Sequence, residues 1–275
     1  MKIIVSHDVD HLYPSDHHFR DLYFPKLCVR SFLEWSKGQC TFHEFLQRCG
    51  RMFSKRLHRI PEVIAFDKEH GIPSTFFFGM ANGLGMMYSK EKAAPMIQYV
   101  RDQGMDVGVH GIAYDDPAAI CEEHDAFAQL TGMDSFGIRM HYVRYTEDTF
   151  RFLSQAGYAF DSTQFDKNQV HATAPYLVDG MWEFPLLLME DYIVTPGKLD
   201  DGKRHTLALL KKAEEENINF LVLLFHDVFF DSDIYKDFTA WYCWVIELFE
   251  KKKIEFVSFH DAIRELEFGN TGQHY

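Results

Sequence analysis

Lys2-Ile3-Ile4-Val5-Ser6-His7-Asp8-Val9-Asp10-His11 is an apolar run that passes straight into two carboxylates and two imidazoles. Its first half reads as a buried strand. Its second half is a density of ligand-type groups that a packed core does not tolerate unpaired. Asp8 and Asp10 stand two apart, so an extended backbone puts them on one face, where one could hold a metal while the other takes a proton. The plainer alternative is an acidic cap on a following helix. The rest of the chain has to decide between them.

Downstream of residue 60 the pattern is regular. Pro61 to Glu69 reads as a helix and Ser74 to Phe78 as a strand; Ser89 caps a helix to Gln103, and Met105 to Val109 leads as a strand into His110. A helix over 117–130 precedes a strand over 136–138 ending at Arg139, and a helix closed by Gly157 precedes Tyr158-Ala159-Phe160, which ends at Asp161. Strands follow over 182–188, 220–225 and 255–259, separated by helices over 204–216 and 235–252. About eight short apolar strands alternating with helices predict an α/β fold with a parallel sheet, best fitted by a (β/α) barrel, with a doubly wound open sheet as the rival. Asp8, Asp10, His110, Arg139, Asp161, His226 and His260 each fall within a residue or two of an expected strand's C-terminal end. That rim is where barrels assemble active sites.

Residues 12–55 break the rhythm with an aromatic insertion punctuated by Pro14, Pro25 and Gly38, which carries one or two helices, such as Phe42 to Cys49. It reads either as a lid over the rim or as a satellite core. The chain of 275 residues is expected to form one domain, 1–275, with this segment inserted. A net charge of −13 argues against a nonspecific grip on nucleic acid or an anionic membrane. Five cysteines without a C-x-x-C pair read as reduced thiols, so zinc on thiolates is not expected. With a strand starting at residue 2 and no apolar run near the ~20 residues of a membrane span, the expected location is the cytoplasm.

Carboxylates and imidazoles without thiolate make a site suited to Zn²⁺, Mn²⁺, Co²⁺ or Fe²⁺, which polarises a carbonyl and lowers the pKa of water. A second carboxylate serves as base, an arginine holds it ionised, and a separate histidine protonates a leaving amine. The combination spells metal-assisted hydrolysis of an amide or ester.

These motifs resemble those of the polysaccharide deacetylase (NodB-homology) superfamily, whose fold is a distorted (β/α) barrel of seven or eight units. His7-Asp8-Val9-Asp10 is similar to its opening aspartate motif, Val107-Gly108-Val109-His110-Gly111 to its second, and Gly137-Ile138-Arg139 to its third. Gly157-Tyr158-Ala159-Phe160-Asp161-Ser162-Thr163 is similar to the fourth and Leu223-Leu224-Phe225-His226-Asp227 to the fifth. The resemblance implies Asp8 as general base, Asp10 and His110 as metal ligands, Arg139 orienting Asp8, His226 as general acid, and Asp161 as a further catalytic residue. It implies a divalent metal, Zn²⁺ first, and an N-acetylated sugar or glycan intermediate as substrate. One position departs: the second motif is H-x-x-x-H, and four residues after His110 stands Tyr114. His141 is the expected replacement as third ligand, ahead of Asp115, Asp116 and His11. A non-sugar amide as substrate, and an inactive, metal-free glycan-binding protein of the same fold, are the two rivals. His43, His58, His70, His124 and His205 fall on expected helices and read as surface or capping residues, while Asp191 is a weaker candidate for reaching the site.

Overall fold

β1 (Lys2–Val9) is buried along almost its whole length because both of its faces are covered. Ile3, Val5 and Val9 pack outward against helices, whereas Ile4 belongs to an interior cluster on the other face, with Ser6 and Asp8 continuing that inward row. His7 points outward. Its Nδ1 faces the Phe225 carbonyl at 2.8 Å and its Nε2 the Asp67 carboxylate at 2.9 Å, so this histidine anchors the strand to the helical layer and not to the rim.

The computed structural model describes residues 1–18, 21–168 and 171–271; Phe19 of the insertion falls outside them. After β1 come α1 (Tyr23–Ser36), α2 (Phe42–Gly50), α3 (Ile60–Glu69), β2 (Thr75–Phe78), α4 (Lys90–Asp102), β3 (Asp106–Gly111), α5 (Pro117–Thr131), β4 (Ile138–Met140) and α6 (Thr149–Ala156). The second half holds β5 (Phe160–Asp161), β6 (Tyr176–Val178), β7 (Met181–Glu183), β8 (Leu186–Met189), α7 (Glu190–Ile193), α8 (Leu199–Glu215), β9 (Phe220–Leu224), α9 (Lys236–Lys251), β10 (Glu255–Phe256) and α10 (Phe259–Thr271).

The strands form one sheet in the order β6-β7-β5-β4-β3-β2-β1-β9-β8, parallel except for β6, and β10 pairs with the start of β1. The expected strand over 182–188 is two strands. Pro185 supplies no ladder donor and the chain bends there, so β7 pairs with β5 while β8 pairs with β9. One bent segment therefore joins both ends of the curled sheet and closes a distorted barrel. Phe77, Phe160, Phe184 and Phe259 fill its interior, Phe160 stacking on Phe259 at 4.4 Å. Glycines in two of the motifs make room for them: a Cβ on Gly137 would lie 2.2 Å from the Phe160 ring, and one on Gly108 would lie 2.7 Å from the Gly137 carbonyl.

Other boundaries move. The strand expected over 136–138 runs over Ile138–Met140, which puts Arg139 inside it. His260 lies 3.6 Å from Asp106, the first residue of β3, and so sits at the opposite end of the barrel from the rim. The last strand stops at Phe256 because α10 begins at Phe259 and plugs the barrel from below. His58 lies between helices and is buried, not on a helix surface.

The insertion folds as a helical hairpin. Thr41 accepts from the Glu44 amide, and the Glu44 carboxylate accepts from the Thr41 amide, a capping box that starts α2. Glu34 of α1 pairs with Arg48 of α2, whose guanidinium also lies 5.0 Å over the Tyr235 ring. The hairpin is thereby fastened beside the loop after β9.

Candidate active site

The rim gathers what the sequence scatters. A cavity of about 460 Å³ opens there, with Asp8, Asp10, His110, His141 and His226 in its wall and Tyr23, Leu27 and Arg30 of the α1 helix along one side. Asp8 ends the inward row of β1, His110 that of β3, and His226 follows β9, so three strand ends place these groups.

Arg139 is fully buried, and every direction of its fork is used. Nη1 donates to Asp8 Oδ1 and to Ser6 Oγ, both at 2.9 Å; Nε donates to the Ser162 carbonyl at 2.8 Å, and Nη2 to Ser162 Oγ at 2.9 Å. Its guanidinium lies 4.6 Å over the Phe77 ring, above the aromatic floor. Burial pushes the Asp8 carboxyl up, but the His110 and Arg139 charges outweigh it and hold the group below the ordinary carboxylate range. Asp8 is thus a rigidly held, ionised carboxylate.

Asp10, His110 and His141 converge more tightly. His110 Nδ1 donates to the Arg139 carbonyl at 2.9 Å, and His141 Nε2 donates to the Leu84 carbonyl at 3.2 Å. With those donations made, the other nitrogen of each ring faces its neighbour, and those two nitrogens stand 3.0 Å apart. Asp10 Oδ1 lies 3.2 Å from one and 3.4 Å from the other, buried, with no hydrogen-bond donor. Three lone pairs aimed at one point demand a positive charge. In the bare chain a proton answers part of that demand: burial lowers the His141 pKa, and Asp10 and the Leu84 carbonyl more than restore it, leaving it raised. A divalent cation suits the same N₂O donor set, and backbone carbonyls that fix both ring tautomers are the usual outer support of such ligands. Leu84, Tyr142 and Val143 all adopt positive φ around His141, and for a β-branched residue such as Val143 that strain costs on the order of 1–3 kcal/mol. Tyr114 is elsewhere, its ring under Arg144, and the imidazole that stands beside His110 is that of His141.

His226 Nδ1 is hydrogen-bonded to Glu190, and its Nε2 faces Asp10 Oδ2 at 3.8 Å. Burial lowers the pKa of this imidazole, but Glu190 and the two aspartates raise it well above the ordinary value. Glu190 was not legible in sequence, where the strand ends at 188 and attention falls on the neighbouring Asp191. The strand-end rule that flagged the other residues applies to Glu190 once β8 is seen to run to Met189. Asp191 lines the cavity wall, as does His11, whose ring packs 4.4 Å from that of Tyr23.

Asp161 does not line the cavity. It accepts from Thr163 Oγ1 at 2.6 Å and stands opposite Glu183 on β7, while Glu183 accepts from the Gln164 amide at 2.8 Å. Burial raises Asp161 from 3.8 to about 6 and Glu183 well above 4.5, so the pair holds a proton between its carboxyls. The two acids face each other where β5 pairs with β7. The folded chain binds these protons more tightly than the unfolded one, so the contribution of the pair to stability is complete below pH ~4 and is lost as pH rises, through about 6 for Asp161 and at higher pH for Glu183. Replacing Glu183 with Gln, which donates without a proton to lose, should flatten urea-unfolding stability between pH 5 and 8 by on the order of 2–3 kcal/mol. An unchanged slope would exclude the shared proton.

No protein-family profile and no curated protein sequence matches the chain. Among solved structures, one assigned as a polysaccharide deacetylase from Mycobacterium smegmatis superposes with a TM-score of 0.61 over 98% of this chain and 91% of that one, at 15% identity. A Bordetella bronchiseptica structure assigned as a polysaccharide deacetylase of O-antigen biosynthesis is 12% identical and covers 87% of this chain and 83% of its own, but at a TM-score of 0.42. Only the first is close enough to decide architecture. The chain has the fold of the polysaccharide deacetylases, carried by a divergent sequence.

Proposed function

We propose that the chain is a metal-dependent hydrolase that removes an N-acetyl or related acyl group from an amino sugar or glycan precursor. The observation that carries this reading is the convergence on one cavity of an Asp-His-His cluster, an arginine-held carboxylate and a glutamate-charged imidazole. Asp10, His110 and His141 would hold the cation, with Zn²⁺ first and Mn²⁺, Co²⁺ or Fe²⁺ as alternatives. A cation held there polarises the acyl carbonyl and makes water easier to deprotonate.

The protein's own groups do the rest. Asp8, kept ionised and fixed by Arg139, takes a proton from the water whose oxygen bonds to the acyl carbon. As the carbon–nitrogen bond breaks, the His226 imidazolium gives its proton to the departing nitrogen, so the products are a carboxylic acid and a free amine. Glu190 keeps that imidazole charged until the proton is needed. Tyr142, Tyr192 and Tyr235 in the wall offer aromatic faces of the kind that stack on a pyranose.

Acetate release from N-acetylated amino sugars by the metal-loaded protein, abolished by chelator, tests the reading. Sugar affinity that chelator leaves unchanged, with no turnover, would favour the metal-free glycan-binding alternative. Glu190→Gln makes a sharper prediction. His226 acts while protonated, so activity falls as pH rises through its pKa; removing the neighbouring charge lowers that pKa and should move the alkaline limb of kcat to lower pH. A limb that stays in place would remove His226 from the role of acid.

A further inference from the structure

The outer face of the α1–α2 hairpin is apolar where a helix surface is ordinarily polar. Val29 and Leu33 are 61% and 49% exposed on α1, and beside them Phe32, Trp35 and Phe42 are 49%, 37% and 52% exposed. The three aromatics touch one another, Phe32 to Trp35 at 5.6 Å and Trp35 to Phe42 at 5.3 Å, so they form one patch across both helices. A groove of about 540 Å³ runs along α1 between Leu22, Val29 and Leu33, edged by Lys26 and Lys37.

Charge on this hairpin runs against the chain. Residues 21–56 carry seven Lys and Arg against three Asp and Glu, in a chain whose net charge is −13. Arg48 and Arg51 turn inward, leaving Lys26 and Lys37 exposed along the groove and Lys55 exposed after α2, without an ion-pair partner among the described residues. The total charge therefore hides a local cationic, aromatic surface. We propose that this hairpin docks on an anionic membrane surface, lying in the headgroup layer with its apolar side chains inserted and its lysines at the phosphates. A second copy of the chain fits this face poorly, because pairing would bring two cationic hairpins together. The acidic remainder of the protein is repelled from the same surface and so fixes which side faces down.

The other side of α1 walls the active-site cavity through Tyr23, Leu27 and Arg30, and Lys26 and Arg30 also edge an adjoining cavity of about 710 Å³. Docking thus brings the mouth of the site to the bilayer surface. On the deacetylase reading, the substrate is an acylated sugar presented at a membrane.

Flotation of the full chain with vesicles tests this. Vesicles of phosphatidylcholine with phosphatidylglycerol should carry the protein, those of phosphatidylcholine alone much less, and added salt should release it. Val29→Ser/Leu33→Ser and Lys26→Glu/Lys37→Glu should each weaken binding by more than about tenfold. Both change exposed residues, and unaltered circular dichroism shows that the fold persists. No binding to either vesicle, or binding by both variants equal to that of the wild type, overturns the proposal; so does a dimer in solution that Val29→Ser/Leu33→Ser dissociates. His110→Ala should bind vesicles as the wild type does, so the membrane and metal readings fail separately.

Discussion

His110→Ala is expected to leave the purified protein without metal under loading conditions that give the wild type about one equivalent of Zn²⁺, Mn²⁺ or Co²⁺ per chain. The reason is geometric. The imidazole supplies one of three converging lone pairs, and it is the one whose tautomer the Arg139 carbonyl fixes from behind. Loss of an outer support weakens such a site by ~10–100-fold, and loss of a ligand should exceed that. Elemental analysis after metal-free purification and reloading gives the answer. A variant that still binds one equivalent would move the cation to the neighbouring group Glu190, Asp191 and His226, the other cluster of suitable spacing among the described residues. His226 would then be a ligand and not an acid.

Asp8→Asn should lower kcat by ~10²–10⁴ while metal content stays at the wild-type level. Asparagine keeps the shape and can still accept from Arg139, so the variant removes the base without emptying the space. Because Arg139 and His110 hold the Asp8 carboxyl below its ordinary range, the acid limb of the wild-type rate profile should fall below pH ~4, and the same interaction stabilises the fold above that pH and is lost as the carboxyl protonates. Arg139→Leu would be a poorer test, since stranding a buried carboxylate costs ~3–5 kcal/mol and confounds activity with folding. Retained turnover in Asp8→Asn would overturn its assignment; loss of metal in that variant would make Asp8 a ligand.

The first ten residues carried most of what the sequence could say, because an apolar strand running into unpaired acids and imidazoles conflicts with packing unless function explains it. His110, Arg139 and His226 were legible by the same strand-end rule, and His141 by its two-residue offset from Arg139. The rule misled at His260, since it cannot tell a helix that plugs the bottom of a barrel from a loop at its top. It passed over Glu190 because Pro185 disguised where the strand resumes. Asp161 obeyed the rule yet turned to a neighbouring strand: position along a strand gives height, while the direction of a side chain depends on a twist that no spacing records. The hairpin's surface was hidden in another way, its cations averaged away in the charge of the whole chain.

The bent segment from Met181 to Met189 has a consequence for how the molecule comes into being. Its first half completes one edge with β5 and its second meets β9, which in turn lies against β1. His7 on β1 binds the carbonyl of Phe225, 218 residues later. Asp8 follows from β1 and His226 from β9, and His226 meets Glu190 only once the second half of the bent segment lies against β9. Contacts this distant in sequence form slowly. A partly folded chain therefore holds these aspartates and imidazoles apart until the ring closes.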